Sequence, residues 1–169
     1  MPADDITVRK IPAMGVVVIT GQAPGFGAPN IVPVFNRLAA QYDQLGIRDR
    51  VQEAGPFTLF YEYEEGKSNG ITVCLALPVT EPPGELPAPA QFRVLPEIEA
   101  AIAVRTGPAA GIFPVVYHDL ARWTEERGYQ AAAGPGREVL VHEVDDISDI
   151  AQQVIEIQLP FTRPEAPSA

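Results

Sequence analysis

Apolar and polar positions alternate over most of this chain, and two stretches instead repeat their apolar residues every three to four positions. Residues 6–21, ITVRKIPAMGVVVITG, are rich in Val and Ile and read as strand with a break at Pro12. The stretch VPVFNRLAAQYDQLG reads as helix, because Val34, Leu38, Tyr42 and Leu45 fall on one face. Pro33 suits its first turn, and Gly46 suits the position just past its end. In FTLFYEYEE, Phe57, Leu59, Tyr61 and Tyr63 alternate with Thr58, Phe60, Glu62 and Glu64, the period of a strand. Asn69-Gly70 is a hairpin signal, and ITVCLALPV follows as the next strand.

After TEPPGELPAPAQ, a proline-dense stretch with no periodicity, the same order recurs. QFRVLPEIEAAIAVRTG reads as strand and FPVVYHDLARWTEERG as helix, with Phe113, Val116, Leu120 and Trp123 on one stripe and Pro114 at its start. REVLVHEV reads as strand, DDISDIAQ as a polar turn region, and QVIEIQLPF as the last strand.

The two halves also share words in the same order. Arg9-Lys10-Ile11-Pro12 matches Arg93-Val94-Leu95-Pro96, and LAAQYDQLG from Leu38 matches LARWTEERG from Leu120. Ala54-Gly55-Pro56 matches Ala133-Gly134-Pro135, and Leu77-Pro78 matches Leu159-Pro160. The offset stays between 79 and 84 positions, which chance matches do not do. The expected fold is therefore α+β: two pseudo-symmetric β-α-β-β repeats whose antiparallel sheets form a central ligand groove. The expected boundaries are 6–79 for repeat one, 80–91 for a linker, 92–161 for repeat two and 162–169 for a tail.

Composition narrows the function. A chain of 169 residues can bury a core without disulfides, and its single cysteine, Cys74, can form none within the chain. A reducing cytoplasm is the expected compartment. No apolar stretch reaches the roughly 20 residues of a membrane helix. The net charge of -10 opposes direct nucleic-acid binding, which needs Lys and Arg against phosphate. The Gly-rich segments PGFG and GPAAG lack the Lys-Ser/Thr ending of a phosphate loop, and His118 and His142 belong to no metal-spaced cluster. Neither a metal nor a cofactor is expected.

The ordered set of words resembles the GyrI-like family, the effector-binding domain of AraC-type and MerR-type multidrug regulators. The carrying pieces are the early strand ending in Gly21, LAAQYDQLG, LPEIEAAIAVRTGP, DLARWTEERGY, GPGREV and VIEIQLP, and together they span residues 6–161. The resemblance implies a pocket with one buried acid and several aromatics, receiving hydrophobic and often cationic small molecules. Motif to motif, that acid falls on Glu156. Two departures weaken any transfer of ligand preference: Leu140 stands where the family often has Tyr, and the comparable aromatic of repeat one is Phe60.

The expected ligand-binding residues are Glu156, Phe60, Tyr61, Tyr63, Tyr117, Trp123, Leu140, His142 and Cys74. Glu156 faces away from Ile155 and Ile157 on its strand, with Cys74 as its mate in repeat one. A carboxylate in an apolar cleft has a raised pKa and attracts a cation. The aromatics supply cation–π walls, although Trp123 sits on an apolar stripe and suits the core equally. Only one of Phe60 and Tyr61 can face a groove, since neighbours on a strand point oppositely.

Three functions fit. The first is a stand-alone effector-binding protein with a small-molecule ligand, no direct contact with nucleic acid and no membrane. The second is a hydrolase of cyclopropane-containing alkylating natural products, with Glu156 as base and Tyr61, Tyr63, Tyr117 or His142 as helper. The third is an inhibitor that binds a protein partner through its acidic surface.

Overall fold

A computed structural model of the chain describes residues 5–63, 70–106, 109–132, 136–141 and 154–164. His142 lies outside these residues, and the Phe113 side chain is likewise not described. The strands are β1 (Thr7–Ile11), β2 (Met14–Ala23), β3 (Thr58–Glu62), β4 (Ile71–Val79), β5 (Gln91–Leu95), β6 (Ile98–Thr106), β7 (Gln130–Ala131), β8 (Arg137–Leu140) and β9 (Val154–Thr162). The helices are α1 (Ala28–Gln44) and α2 (Ala109–Glu126).

All the pairings are antiparallel, and the sheet runs β1-β6-β9-β8-β3-β4-β2-β5, with β7 beside the end of β9. Reading this order from either end gives the same pattern. β1 maps to β5, β6 to β2, β9 to β4 and β8 to β3. The two β-α-β-β units are thus related by a pseudo-two-fold axis at the β3–β8 joint. Each of the two long strands expected from sequence is divided at its proline. Pro12 separates β1 from β2, and Pro96 separates β5 from β6. Proline cannot donate to a ladder, so each first strand leaves its own half and pairs with the other one. β1 lies on β6 and β5 lies on β2, which interlocks the repeats and curls the sheet into a half-barrel.

Both helices begin earlier than the periodicity suggests. α1 starts at Ala28 with Pro29 in its first turn, so Pro33 is inside it. α2 starts at Ala109, so Pro114 is inside it too. A proline five residues in loses one backbone bond to the first turn, and in α1 this is a small loss beside the apolar burial that the longer helix gains. That burial is explicit in α1, where Ile31, Val34, Phe35, Leu38, Ala39 and Tyr42 are buried at helical spacing. The Tyr42 hydroxyl lies 2.6 Å from the carbonyl oxygens of both Val17 and Leu75, which ties the helix to β2 and β4. Gly46, just past the end, adopts φ +63°, a conformation that L side chains resist.

Strand register sorts the sheet into two faces, because directly opposed residues point the same way. One face carries Ile19, Leu75, Leu59, Glu138, Ile157 and Ala103 as successive cross-strand partners. The apolar members of that row pack with residues of both helices into the main core. The opposite face carries Val18, Ala76, Thr58, Val139, Glu156 and Val104. It holds smaller clusters around Val16, Phe60 and Cys74 and around Ile11, Ala100 and Ile102, with Met14 packed against both. No helix contributes to either cluster among the described residues. Among the described residues, no helix is long and apolar enough to cross a membrane.

Candidate functional site

One ionisable group sits on the helix-bearing face at the centre of the molecule. Glu138 is the cross-strand partner of Leu59. The spacing from Ala54 to Ala133 also makes Leu59 and Glu138 repeat mates, so the pseudo-two-fold axis passes between them. A leucine on one side of the axis is thus answered by a glutamate on the other, with only 2% of that glutamate exposed.

Two phenols reach this carboxylate from different elements. The Tyr61 hydroxyl, from β3, donates to Oε2 at 2.6 Å. The Tyr117 hydroxyl, from α2, donates to Oε1 at 3.0 Å. Each carboxylate oxygen therefore has one neutral donor, and among the described residues no cationic side chain bonds to either. Burial raises the Glu138 pKa to about 7, although both phenol hydrogen bonds act to lower it. Burial also raises both phenols well above their ordinary value, and the adjacent carboxylate adds to this. They stay neutral donors at any ordinary pH. The repeat mates of Tyr61 and Tyr117 are Leu140 and Phe35, so the hydroxyls occur on one member of each pair only.

A glycine makes room for one of these phenols. A Cβ on Gly136 would lie 2.9 Å from Cε1 of Tyr117 and 3.1 Å from its hydroxyl oxygen. A methyl group there must push the ring off its place, since the ring is packed and not a free chain end. Gly136→Ala is expected to break the Tyr117–Glu138 hydrogen bond while the protein stays folded. The check is the tyrosine ring resonances of Tyr117, which should shift while those of Tyr42 do not.

The remaining residues expected from sequence separate into groups. Tyr61 and Tyr117 meet at Glu138, and Leu140 is buried on the same face of β8. Tyr63 is mostly exposed, and its ring meets the ring of Phe26, which also meets Tyr61. Trp123 is buried in the main core; the Arg127 guanidinium lies 3.8 Å over its ring, and Tyr129 packs beside it. Phe60 and Cys74 are cross-strand partners buried on the opposite face. Burial pushes the Cys74 thiol up to about 12, far from a thiolate nucleophile at neutral pH.

Glu156 is corrected as the buried acid. It points to the opposite face, its side chain is 16% exposed, and its Oε1 already receives Arg9 at 2.6 Å and Gln158 at 2.8 Å. A carboxylate held by a guanidinium has its charge satisfied from within the chain. Alternation along VIEIQLPF correctly sets Glu156 against Ile155 and Ile157, but the helices lie on the isoleucine side. The acid among the phenols comes from REVL, a segment whose mixed polarity shows no period. One sequence signal does point to it. Alignment of the repeats puts Glu138 opposite Leu59, a core position of its sister.

The fold agrees with that of known proteins. The family model for the GyrI-like small molecule binding domain matches residues 4–162. No curated protein matches the chain in sequence. Among solved structures, the C-terminal domain of EcmrR superposes with a TM-score of 0.70 at 22% identity, covering 94% of this chain and 98% of that one. SAV2435 bound to tetraphenylphosphonium gives 0.57 at 10% identity, covering 93% of each chain. A hydrolase encoded by lin2189 from Listeria innocua gives 0.60 at 9% identity, covering 94% of this chain and 92% of that one. At such identities the structural likeness carries the fold, while the family model carries the membership. The chain belongs to the family of GyrI-like small molecule binding domains.

Proposed function

We propose that this protein binds hydrophobic, cationic small molecules at Glu138, as a binding protein with no chemistry of its own. The observation that carries this reading is the missing counter-ion. Glu138 is buried, ionises near neutral pH, and among the described residues has only neutral phenols for partners. A buried carboxylate without a cation is costly, and a ligand cation placed beside it removes much of that cost. The phenol rings add cation–π attraction. The neighbour whose ligand is tetraphenylphosphonium has the same fold and supports the cationic class.

The test is calorimetric titration with tetraphenylphosphonium and with triphenylphosphine oxide, a neutral aryl compound of similar shape. Saturable binding of the cation with at least tenfold preference over the oxide is expected. Equal affinity for the two would remove Glu138 from the explanation.

One observation favours a second reading. A carboxyl group with a pKa of about 7 is suited to proton transfer at neutral pH. As a hydrolase acting on cyclopropane-containing alkylating compounds, the protein would use Glu138 to take a proton from water. Mass spectrometry of such a compound after incubation separates the readings, since binding returns it intact and hydrolysis adds one water.

A further inference from the structure

Two polar atoms are buried without a partner on the face of the sheet away from the helices. Arg137 and Gln158 are cross-strand partners on β8 and β9, and each is 4% exposed. Their side chains therefore lie side by side on that face. The Arg137 guanidinium donates through Nη2 to the Pro96 carbonyl at 2.9 Å, while its Nη1 meets no acceptor among the described residues. Gln158 donates through Nε2 to Oε1 of Glu156 at 2.8 Å. That bond fixes which end of the amide is which, and it leaves the Gln158 Oε1 buried with no donor among the described residues. An unpaired donor thus stands beside an unpaired acceptor.

The Arg137 charge is unanswered as well. Burial lowers its pKa, and among the described residues no carboxylate acts in the other direction. Glu156, two positions from Gln158, is already held by Arg9 at 2.6 Å. A buried guanidinium without a counter-ion is costly, and so is each unpaired polar atom. Folding does not require that cost. Repeat spacing sets Thr58 against Arg137 and Ala76 against Gln158, and Thr58 and Ala76 are cross-strand partners in their turn, also buried. The sister half builds the same pairing from two small residues. Buried groups left unsatisfied in one half alone point to a bound group. Solvent is one row away, since Val104, the cross-strand partner of Glu156, is 46% exposed.

We infer that Arg137 and Gln158 form a second ligand site, on the sheet face opposite Glu138, which takes a small oxyanion that still carries a proton, such as bicarbonate. The two unpaired atoms set this requirement. Nη1 needs a negatively charged oxygen, and a guanidinium suits a planar oxyanion best. Oε1 only accepts, so the ligand must also present an O–H to it. Nitrate meets the first need in shape and charge and fails the second. Bicarbonate meets both, with one oxygen accepting from Nη1 and its hydroxyl donating to Oε1. The site is independent of the proposed cation site, because Arg137 and Glu138 point to opposite faces of β8.

The experiment is calorimetric titration of the whole chain with sodium bicarbonate and with sodium nitrate, at pH 8 and constant ionic strength. Bicarbonate is expected to bind about tenfold more tightly than nitrate, the worth of one hydrogen bond to an otherwise unpaired buried acceptor. Gln158→Met, which removes the acceptor and keeps the volume, is expected to bring the two anions within about twofold of each other. Arg137→Met is expected to abolish binding of both. No saturable binding of bicarbonate by the native protein overturns the site and leaves a buried water as the bridge between the two atoms. Equal affinity of the native protein for both anions overturns the donor–acceptor pairing. Binding that survives Arg137→Met places the anion on surface cations and overturns the site as well. Should Arg137→Met fail to fold, which circular dichroism reveals, the native preference and its loss in Gln158→Met decide the matter. A preference retained in Gln158→Met counts against the site.

Discussion

Replacing Glu138 with glutamine is expected to weaken tetraphenylphosphonium binding by about 100-fold at pH 8, the effect of removing one partner of a desolvated charge pair. Glutamine keeps the shape and still accepts a phenol hydrogen bond, so the loss isolates the charge. The same charge gives the wild-type protein a pH profile. Glu138 has a pKa of about 7 in the folded protein without ligand, so below that value a cation must displace its proton. Affinity should rise about tenfold per pH unit up to neutrality and then level off. The glutamine variant should show neither the slope nor the plateau. Calorimetry between pH 5 and pH 8.5 is the measurement. A flat wild-type profile would mean that the ligand's charge is met elsewhere.

The second large effect is on stability. Glu138 titrates at about 7 when folded and near 4.5 when exposed, so the folded chain binds the extra proton between those values. Stability tied to this group is full below pH 4.5 and falls as pH rises towards 7, where ionisation in the core becomes unavoidable. The shift corresponds to about 3 kcal/mol. Glu138→Gln has no proton to lose. Relative to wild type, it should therefore gain about 3 kcal/mol between pH 4.5 and pH 8, read from urea unfolding at each end. A saturating cation should reduce that gap in the wild-type protein alone. The price of a binding site, on this view, is a destabilised empty state.

Arg137 shows why neighbours on one strand cannot be exchanged in these arguments. It is buried beside Glu138 in sequence but points to the opposite face, where it opposes Gln158 and donates to the Pro96 carbonyl at 2.9 Å. It therefore offers no charge to Glu138, although one peptide bond separates them.

The sequence by itself determined the local elements and their duplication. Alternation, helical spacing and turn residues act over a few positions, and those positions are all present in the string. β4, expected over ITVCLALPV, spans Ile71–Val79, and Gly46 follows α1 in the left-handed conformation. The matched words of the two halves carried the repeat, and with it the family. Tertiary structure decided which carboxylate is buried; in the string only the alignment of Glu138 with Leu59 points to it. Period-two alternation separates Glu156 from Ile155 and Ile157 but does not say which side the helices cover. That is settled by the exchange of β1 and β5 between halves and by the joining of β3 to β8. The joint brings Leu59 and Glu138 face to face on the axis, and α2 then lowers Tyr117 onto the acid across the space that Gly136 leaves. A pKa near 7 follows from that burial, and burial is a property of the assembled fold and not of any four-residue segment.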